Sequence, residues 1–451
     1  MKLQFFPLLV AVLICLGTSG ARAIDADLGR FSLAKQQQIR AFAETITNRV
    51  PPIVWRFFDA VRVDDWETAT NLANRINQAS HRYVEATNDE TMTPALATLL
   101  WPPISESYGA YGEFHDWNNR WLHRFGREII DSIPPGSIYF GGTDPGRFII
   151  SALSDSQVTG QPFFTLTQNQ LVDQNYLDYL GAMYGKKIRV PASEDLRKAF
   201  DDYAADAAGR QKLGLLKPGE EVRTVNGRVE VTGQVAVMQV NSLLARKIFE
   251  DNTGPEFFIE ESFPLEWMYP YLTPHGLVFK LNHQSLTAIP DKVLAADRDY
   301  WRKLTGEMLG PWLDDKATIR DVCDFAEKYG NGKRLEGFPG DKAFAENGPA
   351  RKCFSKLRTS AAGLYAWRAE HAKSADERSC MYQAADFAFR QGYAICPQSP
   401  EAIYRYINLL ISRKHLDEAI LIAKTSLHLD PDNQQYQGLL SQLVRYQKES
   451  R

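Results

Sequence analysis

The sequence predicts an α/β core with a mostly parallel, three-layer sheet, flanked by helical regions and followed by paired C-terminal helices. Between residues 132 and 290, short apolar and β-prone runs alternate with helix-like stretches. On both sides of that region, apolar residues recur every three or four positions, which is the spacing of one helix face. Near the C-terminal end a pattern returns after about 34 residues, which indicates stacked helical units.

Residues 1–23 are predicted to be a cleavable secretory signal. Lys2 precedes an apolar run from Phe5 to Leu16, and the segment closes with Ala21-Arg22-Ala23. This order of charge, apolar run and small residues is typical of signal peptides, and the run is too short to span a bilayer. The alternative is an uncleaved anchor. We therefore expect an exported protein, periplasmic or secreted, with no integral membrane segment after the signal is removed.

The charge of the chain bears on its partners. The formal net charge is −3 over 451 residues, and the predicted signal carries two of the positive charges. A slightly negative net charge does not indicate the basic surface that nucleic-acid binding requires, and we expect no nucleic-acid partner. Aromatic residues make up 12% of the chain, a content that argues against disorder.

Residues 24–131 are predicted to be a helical region. Pro51-Pro52 marks the start of a helical hairpin with two amphipathic stripes. The first stripe consists of Val54, Phe57, Phe58 and Val61, and the second of Ala69, Leu72, Ala73 and Ile76. A further helix, about residues 107–131, carries an aromatic row: Tyr111, Phe114, Trp117, Trp121 and Phe125. Such a row is more often core than a ligand platform.

Residues 132–290 are predicted to form the α/β domain. The candidate strands are Ser137–Phe140, Phe163–Leu166, Val235–Val240, Phe257–Glu260 and Gly276–Leu281. Helices are expected at Gly146–Leu153, Leu171–Met183, Ser242–Asp251 and Pro264–Tyr271. Within residues 217–233, Asn226-Gly227 stands between β-prone flanks, which predicts an inserted β-hairpin. Residues 291–360 are charged and helical, and we interpret them as a connector.

Four cysteines follow the predicted signal: Cys323, Cys353, Cys380 and Cys396. An even set in an exported chain favours two disulfides. The pairs Cys323–Cys353 and Cys380–Cys396 join neighbours along the chain, although four cysteines allow three pairings. The alternative is free, buried thiols. No C-x-x-C pair occurs, so no metal site is expected.

Residues 361–451 carry the repeat. Ala385, Phe389 and Pro397 return as Ala419, Ala423 and Pro431. The pattern resembles the tetratricopeptide repeat, whose second helix carries a small residue, an aromatic or small residue four positions on, and a final proline. Residues 400–433 match throughout, residues 366–399 are irregular in their first helix, and residues 435–448 would form the terminal cap. The alternative is an unrelated pair of helical hairpins. The resemblance implies a protein or peptide partner in a concave groove.

A Gly-rich turn is predicted between the first strand and its helix. It comprises Gly141, Gly142, Thr143 and Asp144, with Arg147 in the following helical turn. Backbone N–H groups in such a turn can hold an anion, and Arg147 would add positive charge. The segment matches neither the P-loop nor the dinucleotide-binding consensus.

Polar residues also follow the other predicted strands: Asn169, Asn241, Glu261 and Ser262. If the strands are parallel, their carboxyl ends meet at one edge of the sheet, where open α/β folds bind ligands. Amides, hydroxyls and acids together suit a polyhydroxylated ligand such as a sugar. The alternative is that these residues cap helices. No catalytic residue can be chosen, because neither H-E-x-x-H nor G-x-S-x-G is present, and no cofactor is expected.

A second resemblance covers residues 138–281. Ile138–Arg147, Met238–Leu244 and Gly276–Leu281 are similar, in that order, to the soluble part of bacterial membrane proteins related to protein O-mannosyltransferases. The whole chain also resembles exported bacterial tetratricopeptide-repeat proteins of uncharacterised function. The transferase chemistry of the first group would lie in membrane helices, so this resemblance implies no catalytic residue here.

Taken together, these patterns predict an exported envelope protein that acts as a binding or scaffold module through its helical repeats. The α/β domain would then hold an unknown ligand or be structural. The alternative is a carbohydrate- or nucleotide-sugar-related enzyme, or a glycan-binding protein, that uses the polar edge formed by the strand ends.

Overall fold

The computed structural model describes residues 24–45, 50–80, 94–185, 187–225, 228–260 and 265–449. The predicted signal, residues 1–23, lies outside the described residues. Within the described part, none of the helices combines the length and the apolar character that crossing a membrane requires.

Five helices form the N-terminal region: α1 Ala26–Glu44, α2 Pro52–Arg62, α3 Trp66–Ser80, α4 Pro94–Asp116 and α5 Asn119–Ser132. Both predicted stripes of α2 and α3 are buried in one core with α1 and α4. The single helix expected over 107–131 is two helices, because the helical backbone is interrupted between Asp116 and Asn119. The break divides the aromatic row. Tyr111 packs in the N-terminal core, whereas Trp117, Trp121 and Phe125 pack in the larger core that includes the strands of the sheet.

A buried polar cluster joins this region to the rest of the molecule. The Lys35 ammonium, on α1, is fully buried and forms an ion pair with Glu106 on α4. It also donates to the Tyr179 hydroxyl at 2.9 Å and to the Gln157 carbonyl at 2.5 Å. Burial lowers the pKa of Lys35, and the nearby Glu106 carboxylate opposes that shift. The cluster therefore fixes α1 and α4 against two later parts of the chain, the loop that contains Gln157 and the helix that contains Tyr179.

The central sheet is formed by the strands β1 Ile138–Gly141, β2 Phe164–Thr167, β5 Phe257–Ile259, β6 Leu272–His275 and β7 Val278–Leu281. These five strands lie in the order β2-β1-β5-β7-β6. β1 pairs in parallel with β2 and β5, but β7 pairs antiparallel with β5 and β6. The sheet is therefore mixed, and the expectation of a mostly parallel sheet was wrong. A two-residue turn that begins at Gly276, with φ +62°, joins β6 to β7 and leaves room only for an antiparallel return.

One predicted strand is a helix. Val235–Val240 lies inside α9, Gly233–Asp251, which follows α6 Asp144–Ala152, α7 Gln174–Tyr184 and α8 Ser193–Lys212. The buried residues of α9 recur at helical spacing: Ala236, Val240, Asn241, Leu244, Ala245, Ile248 and Phe249. Burial of this face outweighs the β propensity of the valines. The helix expected at Pro264–Tyr271 is a 3₁₀ turn, Glu266–Tyr271.

An antiparallel pair, β3 Glu221–Val225 and β4 Arg228–Thr232, is present where the β-hairpin was predicted, and Asn226-Gly227 between the two strands lies outside the described residues. Glu220 anchors this pair to α8. Its carboxylate accepts hydrogen bonds from Arg210 and, at 2.6 Å, from the Tyr203 hydroxyl, and the Lys217 amide donates at 2.7 Å. Hydrogen bonding to Arg210 lowers the pKa of Glu220 to about 2.

The remaining helices are α10 Asp291–Leu309, α11 Ile319–Tyr329, α12 Lys342–Glu346, α13 Gly348–Glu370, α14 Ala375–Ile395, α15 Pro400–Ser412, α16 Leu416–Leu429 and α17 Gln434–Glu449. α13 packs on α14, α15 on α16, and α16 on α17, so consecutive helices stack as antiparallel neighbours. A Cβ atom at Gly392 would lie 2.6 Å from the Thr359 hydroxyl, so glycine permits the close crossing of α13 and α14.

All four cysteines are free thiols in the structure, and the two favoured disulfides are not formed. Cys380 lies in α14 and Cys396 follows its last residue, which separates their Cα atoms by about 24 Å at 1.5 Å per residue. A disulfide needs Cα atoms within about 7 Å. Cys323 faces Thr425 on α16, whereas Cys353 lies near Glu113 and Glu260. The alternative, free thiols with Cys323, Cys353 and Cys396 buried, is what the structure contains.

Alkylation under denaturing, non-reducing conditions is expected to modify all four positions, with peptide mapping as the measurement. Folded protein should react at the exposed Cys380 first, because burial raises the pKa of the Cys323, Cys353 and Cys396 thiols and removes their reactive thiolates. Recovery of unmodified, disulfide-linked Cys323 and Cys353 peptides would contradict the structure.

Candidate functional site

The Gly-rich turn already holds an anion, and that anion belongs to the chain itself. The Glu260 carboxylate, at the end of β5, accepts from the Gly142 amide at 3.1 Å and from the Thr143 amide at 2.9 Å. The Thr143 hydroxyl donates to it at 2.8 Å. Glu260 is 1% exposed, and a Cβ atom at Gly146 would lie 2.3 Å from its side chain. The turn is therefore built around an internal carboxylate, with no room in it for an external one.

Asn169 and Asn241 extend this closed network. The Asn169 amide donates to the Gly142 carbonyl at 2.9 Å. The Asn241 side chain accepts from the Val172 amide at 2.8 Å and donates to the Asn169 carbonyl at 3.2 Å. Asn241 is buried in mid-helix on α9, so it is neither a strand-end residue nor a helix cap. Its role is to fix residues 169–172 beside the turn.

Thr143 is the N-cap of α6, since its hydroxyl accepts from the Gly146 amide at 3.1 Å. Asp144 is one position further on, exposed, and paired with Arg147 at 2.7 Å. The Arg147 guanidinium lies over the Phe148 ring, 4.2 Å from its centroid. Gly141 ends β1, where a Cβ atom would lie 3.0 Å from the Gly146 carbonyl.

The structure thus brings five of the predicted residues together: Gly141, Gly142, Thr143, Asn169 and Asn241. Four of them meet through hydrogen bonds to one another and to Glu260, a residue that the sequence interpretation assigned only to a strand, whereas Gly141 packs against the first turn of α6. Asp144 and Arg147 lie at the outer side of the turn. Glu261 and Ser262 lie outside the described residues.

A carboxyl group with a raised pKa, that of Glu113, lies near this turn. Burial, together with the charge of Asp144, raises the pKa of Glu113 on α4 to about 8. The folded state therefore retains a proton that the unfolded chain releases near pH 4.5, and stability falls as the pH rises from about 4.5 to about 8.

Glu113→Gln is expected to remove this dependence. The variant should exceed the wild type in unfolding free energy at pH 9 by on the order of 1 kcal/mol, because glutamine carries no charge to bury. Urea unfolding at pH 6 and pH 9 measures the effect. Glu67→Gln, an exposed change on α3, is the control. Equal pH profiles for wild type and Glu113→Gln would contradict the prediction.

One group of potential metal ligands lies near the start of the described chain: Asp25, Asp27 and His123. Their ligand atoms lie within 4.8 Å of one another. Arg30 contacts the Asp27 carboxylate at 2.5 Å, and Arg127 lies 3.9 Å from it. These guanidinium groups already neutralise the cluster, so it does not resemble a metal centre.

Two open cavities lie on either side of α14. The first, which we call the α10 cavity, has a volume of about 460 Å³ and is lined by α10, α13 and α14. The second, which we call the α16 cavity, has a volume of about 370 Å³ and is lined by residues 315–319, α14, the end of α15 and the start of α16. Both are lined by Asp315, Gln383, Asp386 and Arg390. The two cavities are therefore halves of one depression along α14, which we call the repeat groove.

A charged bridge separates the two halves. Asp386 accepts from the Tyr406 hydroxyl at 2.8 Å and pairs with Arg390 at 2.9 Å. Arg390 also donates to the Ala317 carbonyl, which ties α14 to the segment before α11. In the α16 cavity the Arg413 guanidinium lies over the Tyr382 ring, 4.4 Å from its centroid. The groove thus presents aromatic and charged groups side by side.

The floor of the α10 cavity is a buried ion pair. Arg358 on α13 donates to Asp297 on α10 at 2.7 Å, and both side chains are 2% exposed. The Tyr365 hydroxyl donates to the same carboxylate oxygen at 2.6 Å, and burial raises the pKa of Tyr365, which keeps this donor protonated. Arg358 also donates to Gln391 and lies over the Trp301 ring.

Sequence reasoning missed this floor, although a signal was present. Asp297 stands among Trp301, Leu304 and Met308 at spacings of four, three and four, which places a charge inside an apolar helix stripe. Arg358 occupies the same kind of position between Phe354 and Tyr365. A charged residue in a buried stripe predicts a buried partner.

Comparison with known proteins identifies one side of the groove, the helices from α14 onward. Residues 381–443 match the family model of the tetratricopeptide repeat. No curated protein and no solved structure matches the chain. The match covers most of α14, all of α15 and α16, and the first part of α17, so the predicted tetratricopeptide resemblance is confirmed for residues 381–443.

Proposed function

We propose that this protein is a protein-binding scaffold whose tetratricopeptide-repeat region takes a partner segment in the repeat groove. The observation that carries the proposal is the coincidence of the groove with the matched repeat. Nine of the residues that line the α16 cavity fall within residues 381–443, among them Tyr382, Gln383, Asp386, Arg390 and Arg413. Repeat stacks bind extended segments through surfaces of this kind.

The dimensions of the groove suit a short extended peptide. Its α14 wall runs from Cys380 to Arg390, about 15 Å at 1.5 Å per residue. An extended chain covers that distance with about four or five residues. The sequence interpretation expected a groove formed by the repeats alone, but in the structure α10 and residues 315–319 supply the opposite wall. The partner would therefore contact both the repeats and the preceding connector.

Peptide selection against the full chain tests the proposal. Short peptides selected from a random display library should bind the wild type and lose about tenfold or more in affinity on Gln383→Trp, since tryptophan at this exposed, groove-lining position obstructs both cavities. Gln435→Trp, on the exposed side of α17, is the matched control and should bind normally. Binding that is insensitive to Gln383→Trp would overturn the proposal.

We also propose that the scaffold acts outside the cytoplasm, as an envelope or secreted protein. Support comes from the order of charge, apolar run and small residues in 1–23. Expression in a bacterial host followed by fractionation and N-terminal mass spectrometry tests this. Ile24 should be the first residue of the mature chain, and recovery of Met1 in the cytoplasmic fraction would overturn it.

The alternative of a carbohydrate or nucleotide-sugar site at the strand ends draws no support from the described residues. The Gly142 and Thr143 donors that such a ligand would use are engaged by Glu260. The Asn169 and Asn241 amides are engaged by backbone groups of the same network. A binding scaffold therefore accounts better for the site that the structure leaves open.

A further inference from the structure

We propose that the α10 cavity binds a basic side chain of the partner, the alkylammonium of a lysine or the guanidinium of an arginine. That the side chain belongs to a protein partner rests on the proposed function. That the side chain is basic is argued from Asp297 and from the walls of the cavity alone.

Asp297 is an acceptor that the protein's own donors use only in part. It belongs to the floor of the α10 cavity, and its side chain is 2% exposed. Its Oδ2 atom accepts from Arg358 and Tyr365, whereas Oδ1 has no hydrogen-bond partner among the described residues and is also covered from solvent. A buried carboxylate oxygen without a donor raises the free energy of the folded state, and a bound donor would remove that cost. The carboxylate lines the cavity, so a donor that enters the cavity reaches Oδ1 once the side chains that cover this atom move aside.

The other charges around the cavity favour an incoming cation. Arg298 is paired with Asp315, and Arg390 is paired with Asp386. Asp291, in the first turn of α10, is exposed at the rim and adds a carboxylate beyond these pairs. Because each lining arginine already has an aspartate, the rim carries an excess of negative charge. An anionic ligand would have to displace an existing pair, but a cation would not.

The walls between rim and floor are apolar. Leu294, Ala295, Ala384 and Phe387 supply them. Lysine and arginine place their methylene stems along surface of this kind while the charged head reaches a polar partner. A volume of about 460 Å³ accommodates one such side chain with part of its backbone. The arrangement of apolar walls above a carboxylate therefore matches a basic side chain better than a sugar or an acid.

Cys380 provides a reporter of occupancy in the unmodified protein. It is the exposed one of the four cysteines and lines the α10 cavity. The rate at which iodoacetamide alkylates it should fall when a ligand fills the cavity. N-acetyl-lysine methylamide and N-acetyl-arginine methylamide, at twice their dissociation constants, should slow alkylation about threefold by mass action. The uncharged N-acetyl-norleucine methylamide and the acidic N-acetyl-glutamate methylamide should leave the rate unchanged.

Two tryptophan variants locate the effect without disturbing the buried pair. Ala295 is exposed on α10 and lines the cavity, so Ala295→Trp should fill it and abolish protection by the basic probes. Ala296→Trp, at the next exposed position, should retain protection. Asp297→Asn keeps the shape and removes the charge, and it should weaken the basic probes about tenfold. If that variant does not fold, the tryptophan pair decides the question.

The outcomes separate this inference from the proposed function. Protection by norleucine equal to that by lysine, or protection that persists in Ala295→Trp, would overturn the basic-side-chain site. Peptide binding that depends on Gln383 but selects no basic residue would also overturn it, while the scaffold function would stand. Protection by the basic probes without any selected peptide would support the site and overturn the proposed function.

Discussion

Glu260→Ala is expected to lower the free energy of unfolding by about 3–5 kcal/mol. The substitution removes the acceptor for the Gly142 and Thr143 amides and for the Thr143 hydroxyl, and it leaves these part-buried donors without their partner in the fold. Because the same turn begins α6 and contacts Asn169, the loss should spread to the sheet edge. Urea unfolding followed by tryptophan fluorescence measures the change.

Glu256→Ala is the matched control, because Glu256 precedes the same strand, is 44% exposed and pairs with Lys280 at the surface. Its replacement should cost less than about 1 kcal/mol. Acetate should raise the melting temperature of Glu260→Ala but not of the wild type, since it can enter the vacated anion position. A Glu260→Ala protein as stable as the control would show that the turn does not depend on this carboxylate.

Lys35→Met is the second change with a large expected effect, again about 3–5 kcal/mol of unfolding free energy. Methionine matches the lysine stem, but it leaves Glu106 as a buried carboxylate without its cation and removes the donor to Gln157 and Tyr179. Glu106 is only 5% exposed, so water cannot replace the ammonium. Denaturation at neutral pH measures the loss.

The double variant Lys35→Met with Glu106→Gln tests the cause. It should recover a large part of the stability, because the neutral amide can keep the hydrogen bond to Tyr179 without an unpaired charge. Arg62→Met, at an exposed pair with Asp59 on α2, is the control and should change the stability by less than about 1 kcal/mol. Simple additivity of the two buried substitutions would falsify the idea that Lys35 and Glu106 act as a pair.

The buried faces of several helices could be predicted from local pattern, because a buried helix face repeats every three to four residues whatever lies opposite it. Val54, Phe57, Phe58 and Val61 illustrate this, and so do the small residues Ala385 and Ala419 of the repeats, which are fully buried. The α9 segment shows the limit of local pattern. Val235–Val240 suits a strand by propensity, and only its continuation to Phe249 shows the helical face.

The candidate site was accessible to sequence reasoning only in part. The Gly-rich turn indicates an anion, but its occupant, Glu260, lies 118 residues from Gly142 along the chain. The repeat groove depends on Arg358 and Asp297, which are 61 residues apart, and on the passage of residues 315–319 across α14. Pairings over such separations are set by how the whole chain closes, which no short window of sequence records.

By itself the sequence determined the buried faces of helices such as α2 and α3 and where the paired C-terminal helices lie, because these depend on neighbours a few residues apart. The tertiary structure alone decided that the sheet is mixed, that the anion of the Gly-rich turn is the chain's own glutamate, and that a groove opens beside α14. The physical reason is that buried charges take whichever partner the packing brings within hydrogen-bond distance, and for Glu260, Lys35 and Asp297 that partner is remote in sequence.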